Sequence, residues 1–134
     1  MDLVADNMCF ACGTANPIGL KLAFSTDGEA YVTTFVADRR FQGYDGIIHG
    51  GILATVLDEV MARYVWEKVG PAVTAKLEVR YQRPAPTEQP ITVRGWITGQ
   101  RRQGRIFDTA ARASLADGTV LAEATGVIMK IERV

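Results

Sequence analysis

The sequence has few of the residues that most often carry metal and redox chemistry. It holds one histidine, His49, and two cysteines, Cys9 and Cys12, among 134 residues. Two thiolates make half of the usual four-ligand zinc site, so no metal is expected. No Gly-x-Ser-x-Gly occurs, which removes the common serine-hydrolase reading. Charge of one sign is also lacking: Lys+Arg and Asp+Glu are both 15, for a formal net charge of zero. A dedicated nucleic-acid binder would show a basic excess; only a local basic patch stays open. No apolar run approaches the roughly 20 residues of a membrane span. The opening Met1–Asn7 has neither the basic nor the apolar region of a secretory signal. No internal repeat or low-complexity stretch appears. These absences predict a cytoplasmic protein with no nucleic-acid or membrane partner.

What is present is ordinary globular composition, with 48% apolar and 22% charged residues. That excludes a disordered chain. The length fits one domain over 1–134, with 1–17 as an N-terminal loop segment carrying the Cys-x-x-Cys. Ile18 to Ser25 reads as a strand, Asp27-Gly28 as a hairpin turn, and Glu29 to Ala37 as the returning strand. From Gly50 to Val69, Leu53, Val56, Leu57, Val60, Met61 and Tyr64 recur at helical spacing, and Gly70-Pro71 ends the helix. Val73, Ala75, Leu77, Val79 and Tyr81 alternate with Thr74, Lys76, Glu78, Arg80 and Gln82, a strand with one buried and one wetter face. Strands at 91–98, 106–115 and 120–131 follow. The expected fold class is α+β, one helix against about six antiparallel strands. One helix covers one sheet face, so a second subunit is expected to cover another face or an edge.

Wheel arithmetic at about 100° per residue separates two adjacent carboxylates. Glu59 falls beside Arg63, four residues on, and reads as a helix-surface ion pair. Asp58 falls among Ala54, Met61, Ala62 and Val65, with no basic residue three or four positions away. A mid-helix aspartate in apolar surroundings needs a partner from elsewhere or carries a raised pKa, and such placements cluster at functional sites. An arginine distant in sequence, or open water, is the plainer explanation. His49-Gly50-Gly51 opens the helix. Its free N–H groups lie at the positive end of the helix dipole, suited to an oxyanion; a glycine-containing cap with a packing histidine is the alternative. Asp58 lies roughly 13 Å along the axis from His49 and on about the opposite side. To act on one substrate the two must come from different helices, as in a two-fold dimer.

In combination these features resemble the hot-dog-fold acyl-CoA thioesterases, in particular the PaaI-type branch. The resemblance rests on Gly43 to Asp58, on Val73 to Pro84, on Gly104-Arg105 and on Leu121 to Thr125. Cys9 to Gly13 with Asn16 to Leu20 recurs in a subset of that family. The resemblance covers nearly the whole chain. It implies a hot-dog fold, a long central helix wrapped by a curved antiparallel sheet, assembled as a dimer or a dimer of dimers. It implies a metal-independent hydrolase acting on an acyl-CoA, with no cofactor because coenzyme A is part of the substrate. Asp58 matches the general base or nucleophile, and Gly50, helped by Gly51, the backbone donor to the thioester carbonyl. His49 matches the histidine that shapes the carbonyl site, and Thr74 the hydroxyl that orients water. Many relatives carry asparagine where Gly43 stands, so that side-chain contact to the thioester is either missing or supplied by Asp45 or a nearby backbone group.

Arginines suit the phosphates of coenzyme A. Arg83, in the Arg-Pro that follows a strand end, and Arg105, in a turn with Arg101 and Arg102, are the candidates; an ordinary solvated turn is the alternative for the latter. Cys9 and Cys12 are expected to be buried or structural, reduced thiols, and Trp66 and Trp96 packing residues. Two rival functions remain. One is a non-catalytic acyl-CoA-binding hot-dog protein, kept open by Gly43. The other is a hydratase or dehydratase, which the single histidine, tied to a Gly-Gly helix start, disfavours.

Overall fold

The computed structural model describes residues 3–131. A short hairpin comes first, β1 (Ser25–Asp27) and β2 (Ala30–Val36), turning at Gly28, whose φ of +61° lies in the left-handed region. A single 3₁₀ turn at Arg39–Phe41 leads to the helix α1 (Gly50–Val69). Four long strands follow: β3 (Ala72–Tyr81), β4 (Pro90–Arg101), β5 (Ile106–Leu115) and β6 (Val120–Lys130). All ladders are antiparallel, in the order β1-β2-β4-β5-β6-β3. The sheet is open, with β1 and β3 at its edges.

α1 follows from its sequence. Its stripe of Leu53, Val56, Leu57, Val60, Met61 and Tyr64 is buried, joined by Val65. Burying each large apolar side chain contributes about 1.5–3 kcal/mol. The helix seats closely on β4: a Cβ on Gly95 would lie 2.9 Å from Val60 Cγ2, so a side chain there would push helix and strand apart. Gly70, at φ +95°, ends the helix, its N–H donating to the Trp66 carbonyl at 2.8 Å.

Two expectations are corrected. The strand predicted over Ile18 to Ser25 is absent except for its last residue, and β1 is the short Ser25–Asp27. The Leu20 and Leu22 N–H groups donate to the Phe10 and Ala11 carbonyls, each at 2.9 Å, so this segment pairs with the N-terminal loop instead of the sheet. Lys21, at φ +53°, breaks the extended run.

The second correction concerns β3, where strict alternation fails. Its ladder with β6 shifts register between Thr74 and Lys76. Such a bulge adds a residue and reverses the inward face of the strand. Ala72 is in the core, Thr74 reaches α1 before the shift, and Val79 and Tyr81 reach inward after it. Of the expected buried face, Val79 packs against the core, whereas Val73, Leu77 and Tyr81 are 38%, 37% and 51% exposed on this edge strand.

Candidate active site

The start of α1 is a built cap. His49 is the N-cap residue, and its Nδ1 accepts from the Gly51 N–H at 2.9 Å. That leaves Nε2 to carry the ring proton. A Cβ on Gly51 would lie 3.1 Å from His49 Nδ1, so glycine here lets the ring fold over the helix end. The Ile52 and Leu53 N–H groups donate to the His49 carbonyl, at 2.9 and 3.1 Å. Among the described residues the Gly50 N–H has no acceptor. Gly50 is therefore the available donor, whereas the Gly51 N–H, expected to help it, is already committed to His49.

Beside this cap lies a cavity of about 480 Å³. Gly43, Tyr44, His49, Gly50, Tyr81 and Arg83 are among the residues that line it. Its surface is largely apolar and it opens to solvent at its mouth. Tyr81 closes one wall, its hydroxyl donating to the Gly50 carbonyl at 2.6 Å. Burial raises the Tyr81 phenol above its usual range. Sequence reasoning missed Tyr81 as a site residue. It stands in the alternating run of β3, and the contact to a residue 31 positions earlier has no local signature.

The candidate carboxylate lies two turns farther along α1. Asp58 is half-buried, and its Oδ1 accepts from the Thr74 hydroxyl at 2.7 Å. Thr74 lies just before the bulge in β3, on the same inward face as Ala72. Burial raises the Asp58 carboxyl above its usual range, and the Thr74 hydrogen bond partly offsets the rise. No ion pair to Asp58 occurs among the described residues, so the distant-arginine explanation does not hold.

Glu59 departs from expectation. Arg63 pairs instead with Glu67, at 3.8 Å, and donates to Tyr31 Oη and Cys12 Sγ. Glu59 turns toward the N-terminal loop, where the Cys9 thiol donates to its Oε1 at 3.9 Å. Burial raises the Glu59 carboxyl as well. The cysteines are free thiols, Cys9 exposed and Cys12 half-buried. Burial, with Glu59 beside it, pushes the Cys12 thiol up to about 12.

The remaining predicted residues divide. Gly43 and Arg83 line the cavity; Asp45 is exposed and does not. The Gly43 N–H donates to the Ile47 carbonyl at 2.9 Å, and a Cβ there would make ordinary contact with His49. Arg105 lies far away, in the turn between β4 and β5, where its carbonyl accepts from the Lys130 N–H. That is the Ala72 end of β3, one strand length of about 30 Å from Tyr81. Within one chain, therefore, the cap, the cavity and Arg83 gather at one end of α1. Asp58 and Thr74 form a second group roughly 12 Å along the axis from Gly50. Trp96 is half-buried and borders a hollow with Glu78 and Glu123; Trp66 is half-buried near the cysteines. No helix among the described residues is long and apolar enough to cross a membrane.

Comparison with known proteins bears on this arrangement. The profile of the Thioesterase superfamily matches residues 45–122, more than half of the chain. Acyl-coenzyme A thioesterase THEM4 of Mus musculus is 29% identical over 102 residues, which make up 75% of this chain and 43% of that protein. The Bos taurus protein of the same name is 27% identical over 126 residues, 92% of this chain and 51% of that protein. The chain thus spans about half the length of these curated relatives. Among solved structures, the thioesterase superfamily protein RHA08564 superposes with a TM-score of 0.83 at 26% identity, over 92% of this chain and 61% of that one. The E. coli PaaI protein from the phenylacetic acid degradation operon superposes at 0.76 with 17% identity, over 84% of this chain and 81% of that one. A Streptococcus pneumoniae hypothetical thioesterase solved with coenzyme A superposes at 0.75 with 18% identity, over 84% and 87%. The architecture is the hot-dog fold of these neighbours.

Proposed function

Because the chain belongs to the thioesterase superfamily, we propose that it hydrolyses an acyl-CoA thioester in sites shared between two subunits. The observation that carries this reading is Asp58: a half-buried carboxylate held by a hydroxyl, with no cation bound to it among the described residues. A carboxylate tied up in an ion pair is a poor proton acceptor, whereas one oriented by a single hydroxyl keeps an oxygen for water.

Asp58 and Gly50 of one helix are too far apart to meet on one carbonyl, but a two-fold axis solves the separation. β3 is an edge strand with exposed Val73, Leu77 and Tyr81, and an open apolar edge is a template for pairing. Pairing two β3 edges about a two-fold axis sets the helices antiparallel. Asp58 then faces Gly50 of the partner subunit, and the site forms twice in the dimer. The Arg105 end of one sheet approaches the Arg83 end of the other, which gathers arginines for the phosphates of coenzyme A.

The step is a simple hydrolysis. Asp58 takes a proton from water as the oxygen attacks the thioester carbonyl carbon. The carbonyl oxygen becomes an oxyanion and accepts from the Gly50 N–H of the partner subunit. On collapse the carbon–sulfur bond breaks, and the sulfur leaves as the coenzyme A thiol with the proton that Asp58 holds. The products are a free acid and coenzyme A. Thr74 fixes the rotamer of Asp58, and His49 fixes the turn that presents Gly50. The names of the curated relatives and the coenzyme A in the S. pneumoniae neighbour support this substrate class. That neighbour has also been solved with an aspartate and, separately, a threonine sixteen positions on replaced by alanine, the separation of Asp58 and Thr74.

The test is thiol release from short, medium, long and aryl acyl-CoAs by the wild-type chain and by Asp58→Asn. Turnover that collapses in the variant while substrate binding persists is the expected result. Tight acyl-CoA binding with no turnover by the wild type would replace the proposal with the binding-protein reading.

A further inference from the structure

We propose that Cys9, Cys12 and Glu59 form a zinc-class metal site that clips the N-terminal segment onto α1, apart from the groups used in hydrolysis. The three donor atoms, two sulfurs and one carboxylate oxygen, lie within 4.8 Å of one another. Cys9 Sγ and Glu59 Oε1 are already 3.9 Å apart. Tetrahedral zinc with bonds of about 2.0–2.3 Å separates its ligands by about 3.5–3.8 Å, so the cluster needs to close by little more than an ångström at most.

The loop is built to hold both sulfurs on one side. The Cys12 N–H donates toward Cys9 Sγ at 3.5 Å, and the Gly13 N–H donates to the Cys9 carbonyl at 2.9 Å. A Cβ on Gly13 would overlap the Asn7 carbonyl oxygen, so the turn closes this tightly only with glycine in that place. Asn7, at φ +67°, takes the left-handed backbone needed to enter it. The third donor comes from 50 residues away in sequence, on a rigid helix.

The surroundings suit a bound divalent cation. Arg63, one turn beyond Glu59, donates to Cys12 Sγ at 3.0 Å, the outer-shell contact that orients a metal-bound thiolate. Two thiolates and a carboxylate carry three negative charges; a divalent ion and Arg63 bring the group to neutrality. Thiolate donors favour zinc over magnesium or calcium, and three protein ligands leave a fourth position for water. A disulfide between Cys9 and Cys12 is the competing use of this turn, but it gives no role to Glu59.

The clip would add to the hold that Ala11 and Leu22 already give the segment by burial in the core. Residues 3–24 contribute no strand to the sheet. They nevertheless wall a cavity of about 420 Å³ with Val4, Cys9, Cys12, Trp66 and Val73 among its lining. A metal on Glu59 would pin that wall one residue from Asp58.

The experiment uses the full chain, stripped by a chelator under reducing conditions. Zn²⁺ alone is titrated against a chromophoric competitor, and Co²⁺ serves as the spectroscopic probe. The expected result is one ion per chain, with thiolate-to-cobalt charge-transfer bands and the visible envelope of a tetrahedral site. Cys9→Ser and Cys12→Ser each weaken those bands. Glu59→Gln weakens Zn²⁺ binding at least about tenfold, and circular dichroism checks that it folds. A reduced wild-type chain that binds no stoichiometric Zn²⁺ would overturn the site, and so would a cobalt spectrum without thiolate bands. A Glu59→Gln chain that binds as tightly as wild type would remove Glu59 from it. Reversible formation of a Cys9–Cys12 disulfide with no zinc binding in the reduced state would assign the turn to redox chemistry instead. The wild-type cobalt spectrum decides even if a variant fails to fold. None of these readouts depends on turnover, so this test and the test of hydrolysis fail separately.

Discussion

Asp58 and Glu59 are neighbours on one helix, and burial raises both carboxyls, yet they have unlike surroundings. Asp58 faces β3 and accepts one hydrogen bond from a threonine of that edge strand. Glu59 faces the N-terminal loop and meets two sulfurs, with a guanidinium beyond them. One environment spares an oxygen for water; the other collects donors about a point where a cation fits. A hundred degrees of helix rotation separates the two. The element packed on each side therefore decides the chemistry, and residue type alone does not.

The β3 side is the one to break first. Asp58→Asn keeps the shape and the Thr74 contact but removes the proposed proton acceptor, so kcat is expected to fall about 10²–10⁴-fold with little change in thermal stability. Steady-state thiol release and a melting curve check the two halves of that statement. Gly50→Pro is a more selective cut. Proline is tolerated at the first helical position, and His49, at φ −55° and ψ 131°, has the backbone that a residue before proline prefers. The substitution deletes one N–H and is expected to lower kcat about 10²–10³-fold with the helix intact by circular dichroism.

Smaller effects sharpen the contrast. Thr74→Val removes a hydrogen bond to a carboxylate and should cost about tenfold in kcat; KM should move little, because Thr74 acts through Asp58. Tyr81→Phe removes the hydroxyl bond to the Gly50 carbonyl and should cost about fivefold, shared between kcat and KM because Tyr81 also lines the cavity. A Thr74→Val chain with wild-type kcat would show that Asp58 needs no orientation from β3.

Much of this was legible in the sequence, for identifiable reasons. Helical periodicity from Leu53 to Tyr64, closed by Gly70-Pro71, gave the helix its observed limits of Gly50 and Val69. The wheel isolated Asp58 because only a mid-helix carboxylate without a helical counter-ion stood out. The same wheel misjudged Glu59, since it knows only intrahelical neighbours and the cysteines arrive from a loop 50 residues away. Alternation misjudged β3, because one extra residue between Thr74 and Lys76 is invisible to a period-two pattern and reverses every face beyond it. Thr74 was singled out through family resemblance, while alternation put it on the wetter face. The strand expected at Ile18 to Ser25 failed because its N–H groups answer to Phe10 and Ala11 instead of a sheet neighbour. Local pattern carried the helix; tertiary contacts decided the partners of its side chains.

The central claim is that each site takes Asp58 from one subunit and Gly50 from the other. It is tested most directly by mixing two inactive chains, Asp58→Asn and Gly50→Pro, under conditions that exchange subunits. In a shared-site dimer every mixed pair contains one intact site, so equal mixing should restore about a quarter of wild-type activity per chain. If Asp58 and Gly50 of the same chain served one site, every site would carry a lesion. The mixture would then be as inactive as its parents, and the account would be contradicted.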